Sequence, residues 1–327
     1  MDLDAYVLER AGEWERMEHL ARRRRLSAAE ADELVVLYQR ATTHLSVIRS
    51  RTPDPVVVAD LSRQLLAGRA AINRGGRFSW RPALHFLTDR FPAELYRTRW
   101  WWLTMSALLT ALSGALIWYV SANPGVAGMF LSDAEIRQLV QQDFVGYYSE
   151  YQAQNFAGQV WTNNALLTAQ CIAAGVLVVP VFYLLGVNVF SVGMTGGVMV
   201  TAGAGDTFFT YIAPHGLLEL TCLFIGAGVG LRIGWAWIAP GPARTRRQAL
   251  AGRARSGMLI AVGLVPTLLV AGILEAYVTP SPLPAALRIA IGAIVWAAFL
   301  AYALILGRAA EARRQADDEA AYELPTA

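Results

Sequence analysis

The sequence predicts an all-α fold: a polytopic membrane helix bundle of about six transmembrane helices, joined to a soluble N-terminal helical bundle. Of its 327 residues, 55% are hydrophobic and 16% charged, which leaves too little polar surface to cover a soluble globule of this length. The charge is also segregated. Residues 1–100 hold most of the arginines and acids, whereas 161–240 hold only Asp206, Glu219 and Arg232 as charged side chains. Several apolar stretches reach the ~20 residues a helix needs to cross hydrocarbon.

The elements follow in chain order. In residues 2–24, Tyr6, Val7, Trp14, Met17, Leu20 and Ala21 recur at helical spacing, and the run ends in Arg22–Arg25, cations suited to a helix C-terminus. Ser27 with Glu30 reads as a capping box that opens a second helix, striped by Leu34, Val35, Tyr38, Ala41, Leu45 and Ile48. A third helix is expected from about Pro55 to Ile72, between the Thr52-Pro53-Asp54-Pro55 break and the Asn73-Arg74-Gly75-Gly76 turn signal. These three stripes can close into a small bundle, a head over residues 1–76.

Residues 77–100 mix aromatics with arginines and lead into Trp100–Trp102, a composition suited to an interfacial collar. The membrane domain is expected over 101–307, with spans near 101–122, 161–184, 188–205, 211–237, 258–278 and 285–307. A polar outer segment, 123–160, follows the first span and can form a short surface helix. The second and third spans are expected to turn near Gly186 and Asn188. Gly193, Gly196, Gly197, Gly203 and Gly205 suit either close helix packing or locally irregular backbone.

Arginine placement gives an orientation. The 239–256 loop carries Arg244, Arg246, Arg247, Arg253 and Arg255, and the 308–327 tail carries Arg308, Arg313 and Arg314, while 123–160 has only Arg137. By the positive-inside rule the head, that loop and the tail lie in the cytoplasm, and six spans return the C-terminus to the N-terminal side. The expected location is the inner, cytoplasmic membrane.

Other classes recede. All 28 basic residues are arginine, a compositional bias that identifies no partner, and a net charge of +3 with no recognition motif gives no case for nucleic acid. Cys171 and Cys222 sit in apolar runs as small hydrophobes. The glycines of GMTGG and GAGVG lack the Lys-Ser/Thr of a phosphate loop. His19, His44 and His85 stand alone on amphipathic helices, where a surface or boundary role outweighs a catalytic one.

The candidate site emerges from topology. His215 and Glu219 lie one helical turn apart in the outer half of the fourth span, with Pro214 bending its start. Glu275 lies about one turn below the outer end of the fifth span. Asn163 and Asn164 open the second span from outside, and Asp206 lies between the third and fourth, so six polar groups converge on one leaflet. A charged Asp at mid-helix costs roughly 2.5–3.5 kcal/mol, so Glu219 and Glu275 are expected to face the bundle interior. The cluster reads as a hydrogen-bonded knot, as a cavity for an ion, proton or lipid headgroup, or as a metal-dependent hydrolase site. HGLLE lacks the second histidine of HExxH, and neither metal nor cofactor is expected. Arg232, about 25 Å along the axis from His215, is expected at the cytoplasmic end, snorkelling to lipid phosphates.

PHGLLEL (214–220), GAGVGLRIG (226–234) and ILEAYVTPSPLP (273–284) together resemble the signature of the stage II sporulation protein M family of bacterial membrane proteins. The resemblance extends to EADELVVLYQRATTHLSVIRSRTPDP and FPAELYRTRWWW, like actinobacterial versions, and is weakest over 123–160. It implies a membrane platform that holds peptidoglycan-degrading partners without being the hydrolase. Members also occur in bacteria that do not sporulate, often encoded beside a MoxR-type ATPase. The leading expectation is therefore an envelope scaffold or assembly protein without intrinsic catalysis, whose partners are membrane lipid, envelope-remodelling proteins and further copies of itself. The alternatives are a transporter, channel or lipid-moving protein using the His/Glu pocket, and an intramembrane metal-dependent hydrolase.

Overall fold

The computed structural model of the protein describes residues 2–23, 25–74, 80–148 and 152–323, which form helices and turns with no strand among them. The Gly75-Gly76 turn, the start of the collar at 77–79, residues 149–151 of the YYSEYQ run, Arg24 and the last four residues lie outside the described residues. The chain divides into two compact units, Met1–Arg81 and Pro82–Ala327.

The first unit holds three helices, α1 (Leu3–Arg22), α2 (Ala28–Arg51) and α3 (Pro55–Arg74). Each start has a side-chain cap that satisfies backbone N–H groups a helix leaves free. The Asp2 carboxylate accepts from the N–H groups of Asp4 and Ala5. Ser27 and Glu30 form the reciprocal capping box, and Asp54 accepts from Val56 and Val57. The three apolar stripes close on Trp14, Met17, Leu20, Leu34, Ile48 and Leu61. Each such large side chain contributes about 1.5–3 kcal/mol when fully removed from water. Arg16 grips Glu33 through two 2.9 Å bonds, tying α1 to α2.

The second unit begins with the collar, a continuous helical run made of α4 (Arg81–His85), a π turn over Phe86–Arg90, and α5 (Phe91–Arg97). Phe91 and Leu95 of α5 are buried in the main core of this unit. The bundle follows as α6 (Arg99–Ala122); the broken segment α7 (Pro124–Ala127), α8 (Asp133–Gln138) and α9 (Phe144–Gly146); then α10 (Ala153–Ala174), α11 (Val179–Thr201), α12 (Gly205–Ile238), α13 (Arg246–Ile273), α14 (Ala285–Ala301) and α15 (Gly307–Glu323). A π turn over Leu274–Val278 extends α13, and another over Tyr302–Leu306 joins α14 to α15, so the tail continues as helix beyond the expected end of the last span.

Five helical stretches among the described residues are long and apolar enough to cross a membrane: Arg99–Ala122, Val179–Thr201, Gly205–Ile238, Arg246–Val278 and Ala285–Ala320. The remaining expected span, the second in chain order, corresponds to α10, which has 22 residues, about 33 Å at 1.5 Å per residue. Gln159, Asn163, Asn164 and Gln170 keep it outside that set on composition. It packs along α12 and α13 inside the bundle.

One boundary moves. The turn expected near Gly186 and Asn188 falls at Gly175–Val178, and α11 runs unbroken through both expected turn residues. Pro180 is the reason, because it has no N–H to continue α10 and suits the first turn of α11. Val178 takes φ 63° at this corner, a strained value for a β-branched residue. Within α11, Gly193, Gly196 and Gly197 face Leu116, Ile117 and Val120 of α6, so the glycines serve close helix packing.

The longest helix, α12, runs through the middle of the bundle and is buried along most of its length. Its glycines make this possible: a Cβ at Gly230 would meet the Cys171 carbonyl of α10, and one at Gly228 would meet the backbone of Trp101 and Trp102 in α6.

Candidate functional site

The polar cluster lies at the end of the bundle where α12 begins and α13 finishes. His215 and Glu219, four residues apart, project from one face of α12. Glu275 comes from the π turn, whose extra residue per turn is closed by Thr279 N–H donating to the Leu274 carbonyl at 2.9 Å. One ligand atom from each of His215, Glu219 and Glu275 lies within 4.8 Å of the other two. His215 Nε2 stands 3.9 Å from Glu275 Oε1, beyond hydrogen-bond range. His215 and Glu275 are 5% and 4% exposed, and the Oε2 atom of Glu219 is buried without a hydrogen-bond partner.

Thr279, fully buried, holds the histidine. Its Oγ1 lies 3.1 Å from His215 Nδ1 and 3.4 Å from the Leu274 carbonyl. A hydroxyl has one proton, and a carbonyl can only accept. With that proton on Leu274 O, Nδ1–H of His215 donates to Thr279 and the Nε2 lone pair faces the carboxyls. Arg288 of α14 donates to the Thr279 carbonyl and lies over the Tyr211 ring at 5.2 Å, so its charge is engaged beside the cluster.

The broken segment closes over this end through aromatic rings. Phe144 meets Phe208 and Tyr211 at 5.6 and 6.2 Å, and Tyr148 meets Tyr211 and His215 at 5.2 and 5.9 Å between centroids. Burial, then the neighbouring Glu275 and Glu219 carboxyls, push the Tyr147 phenol up to about 12. Burial also pushes Tyr148 up, so both phenols stay protonated near neutral pH. A cavity of 410 Å³ lies between this segment, α10 and the cluster, with Tyr147, Gln159, Asn163, Asn164, Glu219 and Glu275 in its wall.

Four of the expected residues thus share one cavity wall, and His215 stands directly behind it. Asn163 and Asn164 reach it from within α10 rather than from its opening, because α10 begins at Ala153. Asp206 is exposed in the first turn of α12, where an acid suits the helix dipole, and is not among the cluster or cavity residues. Pro214 lies inside a continuous α12. Gly292 of α14 approaches it so closely that a Cβ would collide with the Pro214 backbone.

A second buried network occupies the other end. Glu94 of α5, 2% exposed, accepts from Arg97 at 2.9 Å, Arg314 at 3.1 Å and Ser256 at 2.6 Å. Arg232, expected to snorkel to lipid, is instead 9% exposed, with Nη1 3.5 Å from Ser256 Oγ. Ser256 of α13, which itself donates to the buried Glu94 carboxylate, gives the Arg232 guanidinium a polar partner inside the bundle. Sequence reasoning missed Thr279, Tyr148, Arg288 and Glu94. Only Glu94 left a trace, as the one acid in the apolar run FPAEL.

This all-helical bundle, with its five membrane-length apolar helices and buried polar cluster, defines a multi-pass membrane protein. The chain belongs to the Stage II sporulation protein M family, which matches residues 106–280, more than half of the chain and the part containing His215, Glu219 and Glu275. A separate family, described as Domain of unknown function (DUF8413), matches residues 4–74. The resemblance expected over the whole chain therefore resolves into two, one for each unit. No curated protein and no solved structure matches the chain.

Proposed function

We propose that the protein is an assembly platform of the bacterial cytoplasmic membrane, a scaffold that gathers envelope-remodelling partners and has no catalytic turnover of its own. The observation that carries this reading is modular. A head with its own closed core and its own family match is joined to a Stage II sporulation protein M membrane unit. Self-contained modules on membrane bundles suit docking, since a domain with its own core keeps its surface free for partners. Arginine placement puts the head, the 239–256 loop and the tail in the cytoplasm and the 123–160 segment outside. The platform then offers one docking surface on each side, with lipid around it and further copies of the chain as neighbours.

A second reading rests on the 410 Å³ cavity with Asn163, Asn164, Glu219 and Glu275 in its wall, which suits movement of an ion or a lipid headgroup. Crosslinking and affinity capture from native membranes separates the two. The platform reading expects a Glu219→Gln/Glu275→Gln protein, if it folds, to retain the wild-type partner set. Loss of flux across vesicles with an unchanged partner set would transfer the function to the cavity.

A further inference from the structure

We propose that His215, Glu219 and Glu275 form a binding site for one divalent transition-metal ion, zinc in the first instance. The proposal stands independently of the platform reading, because it concerns what the cluster holds rather than what the protein assembles.

The donor set is the first argument. One imidazole nitrogen and two carboxylates suit a borderline ion such as zinc or cobalt. Tetrahedral bonds of about 2.1 Å place ligand atoms about 3.4 Å apart, and the three atoms here lie within 4.8 Å of one another before any ion draws them in. Two donors come from successive turns of α12, and the third comes from a π turn packed against it.

Orientation is the second. The Thr279 hydroxyl at His215 Nδ1 is the outer-shell partner that fixes the tautomer of a metal-binding histidine, and it leaves Nε2 as the ligand atom.

The third argument is what the cluster lacks. Glu275 is 4% exposed and lines the cavity beside Glu219, whose Oε2 is buried without a hydrogen-bond partner. Two ionised carboxylates side by side in such a place require a positive charge between them. Arg288 donates through Nη1 to the Thr279 carbonyl and lies over the Tyr211 ring, and it makes no ion pair with either glutamate among the described residues. A shared proton is the competing solution. The metal is favoured because the histidine nitrogen faces the same point, and because the cavity supplies room and polar groups for water at the remaining coordination positions.

The test uses the full chain in nanodiscs, stripped with chelator and titrated with Co²⁺. The expected result is one Co²⁺ per chain with the intense visible absorption of a four- or five-coordinate site, bleached by Zn²⁺. X-ray absorption of the wild-type Zn²⁺ form should show a single imidazole among oxygen donors. Glu219→Gln and Glu275→Gln should each weaken binding by at least roughly tenfold. No visible band, a ligand shell with several imidazoles or sulfur, or equal affinity in both folded variants would overturn the proposal. The first two readouts need no variant, so a misfolded substitution does not blunt them, and a protein that takes no metal leaves the shared proton as the solution.

Discussion

Thr279→Val tests the hydrogen-bonded part of the cluster with little change of shape. Valine replaces the hydroxyl by a methyl of similar size, so packing is nearly conserved while the oxygen facing His215 Nδ1 at 3.1 Å disappears. Thr279 is 0% and His215 5% exposed, so no water compensates and a buried donor is left unsatisfied, at a cost of about 1–3 kcal/mol. Taking about 2 kcal/mol, and about 2–4 °C per kcal/mol for a domain of this size, Tm should fall by roughly 4–8 °C. Thr279→Ser keeps the hydroxyl and loses one methyl, at about 1 kcal/mol. The expected order of stability is wild type, then Ser, then Val, measured by thermal unfolding in nanodiscs. If packing alone mattered, Val would outrank Ser. That inversion would refute the assignment of Thr279 as the partner that holds His215.

Three further outcomes follow from the same structure. Cysteine placed in the 239–256 loop should resist impermeant thiol reagents in intact cells while cysteine near Asp143 reacts, and the two native cysteines, both buried, should stay silent. Residues 1–76 expressed alone should give a helical circular dichroism spectrum, because their stripes close on themselves; a random-coil spectrum at low temperature would contradict this. His44 accepts from Trp14 Nε1 at 3.2 Å, and burial lowers its pKa. The head should therefore keep its full stability above the ordinary histidine pKa of about 6.5 and lose some as pH falls below it, since the unfolded chain then binds the proton more tightly. A His44→Gln head whose denaturation midpoint falls with pH just as the wild type's does would remove that assignment.

Much of the architecture is legible in the sequence because it depends on local signals. Ser27 and Glu30 mark a helix start by spacing alone, and long apolar runs mark spans by length. The corner at Gly175–Val178 was missed because the whole stretch is apolar, so Pro180 was the only punctuation, while Gly186 and Asn188 imitate a turn inside a continuous helix. Helical arithmetic puts His215 and Glu219 on one face. It cannot supply Thr279, whose position depends on the wider π turn, nor Tyr148 and Arg288, which arrive from elements distant in sequence. Glu94 was hidden for another reason: an acid among aromatics and arginines reads as surface, and only the packing of α15 and α13 on α5 buries it.

The central claim is that the polar residues at the start of α12 and the end of α13 act as one buried unit, and a double-mutant cycle of Glu219→Gln and Glu275→Gln measures it most directly. Because the two carboxyls face the same point and together require one compensating charge, the first replacement should capture most of the stability change and the second should add little. The coupling energy is then about 0.5–3 kcal/mol. Changes that sum to within about 0.5 kcal/mol would mean that the two glutamates act separately.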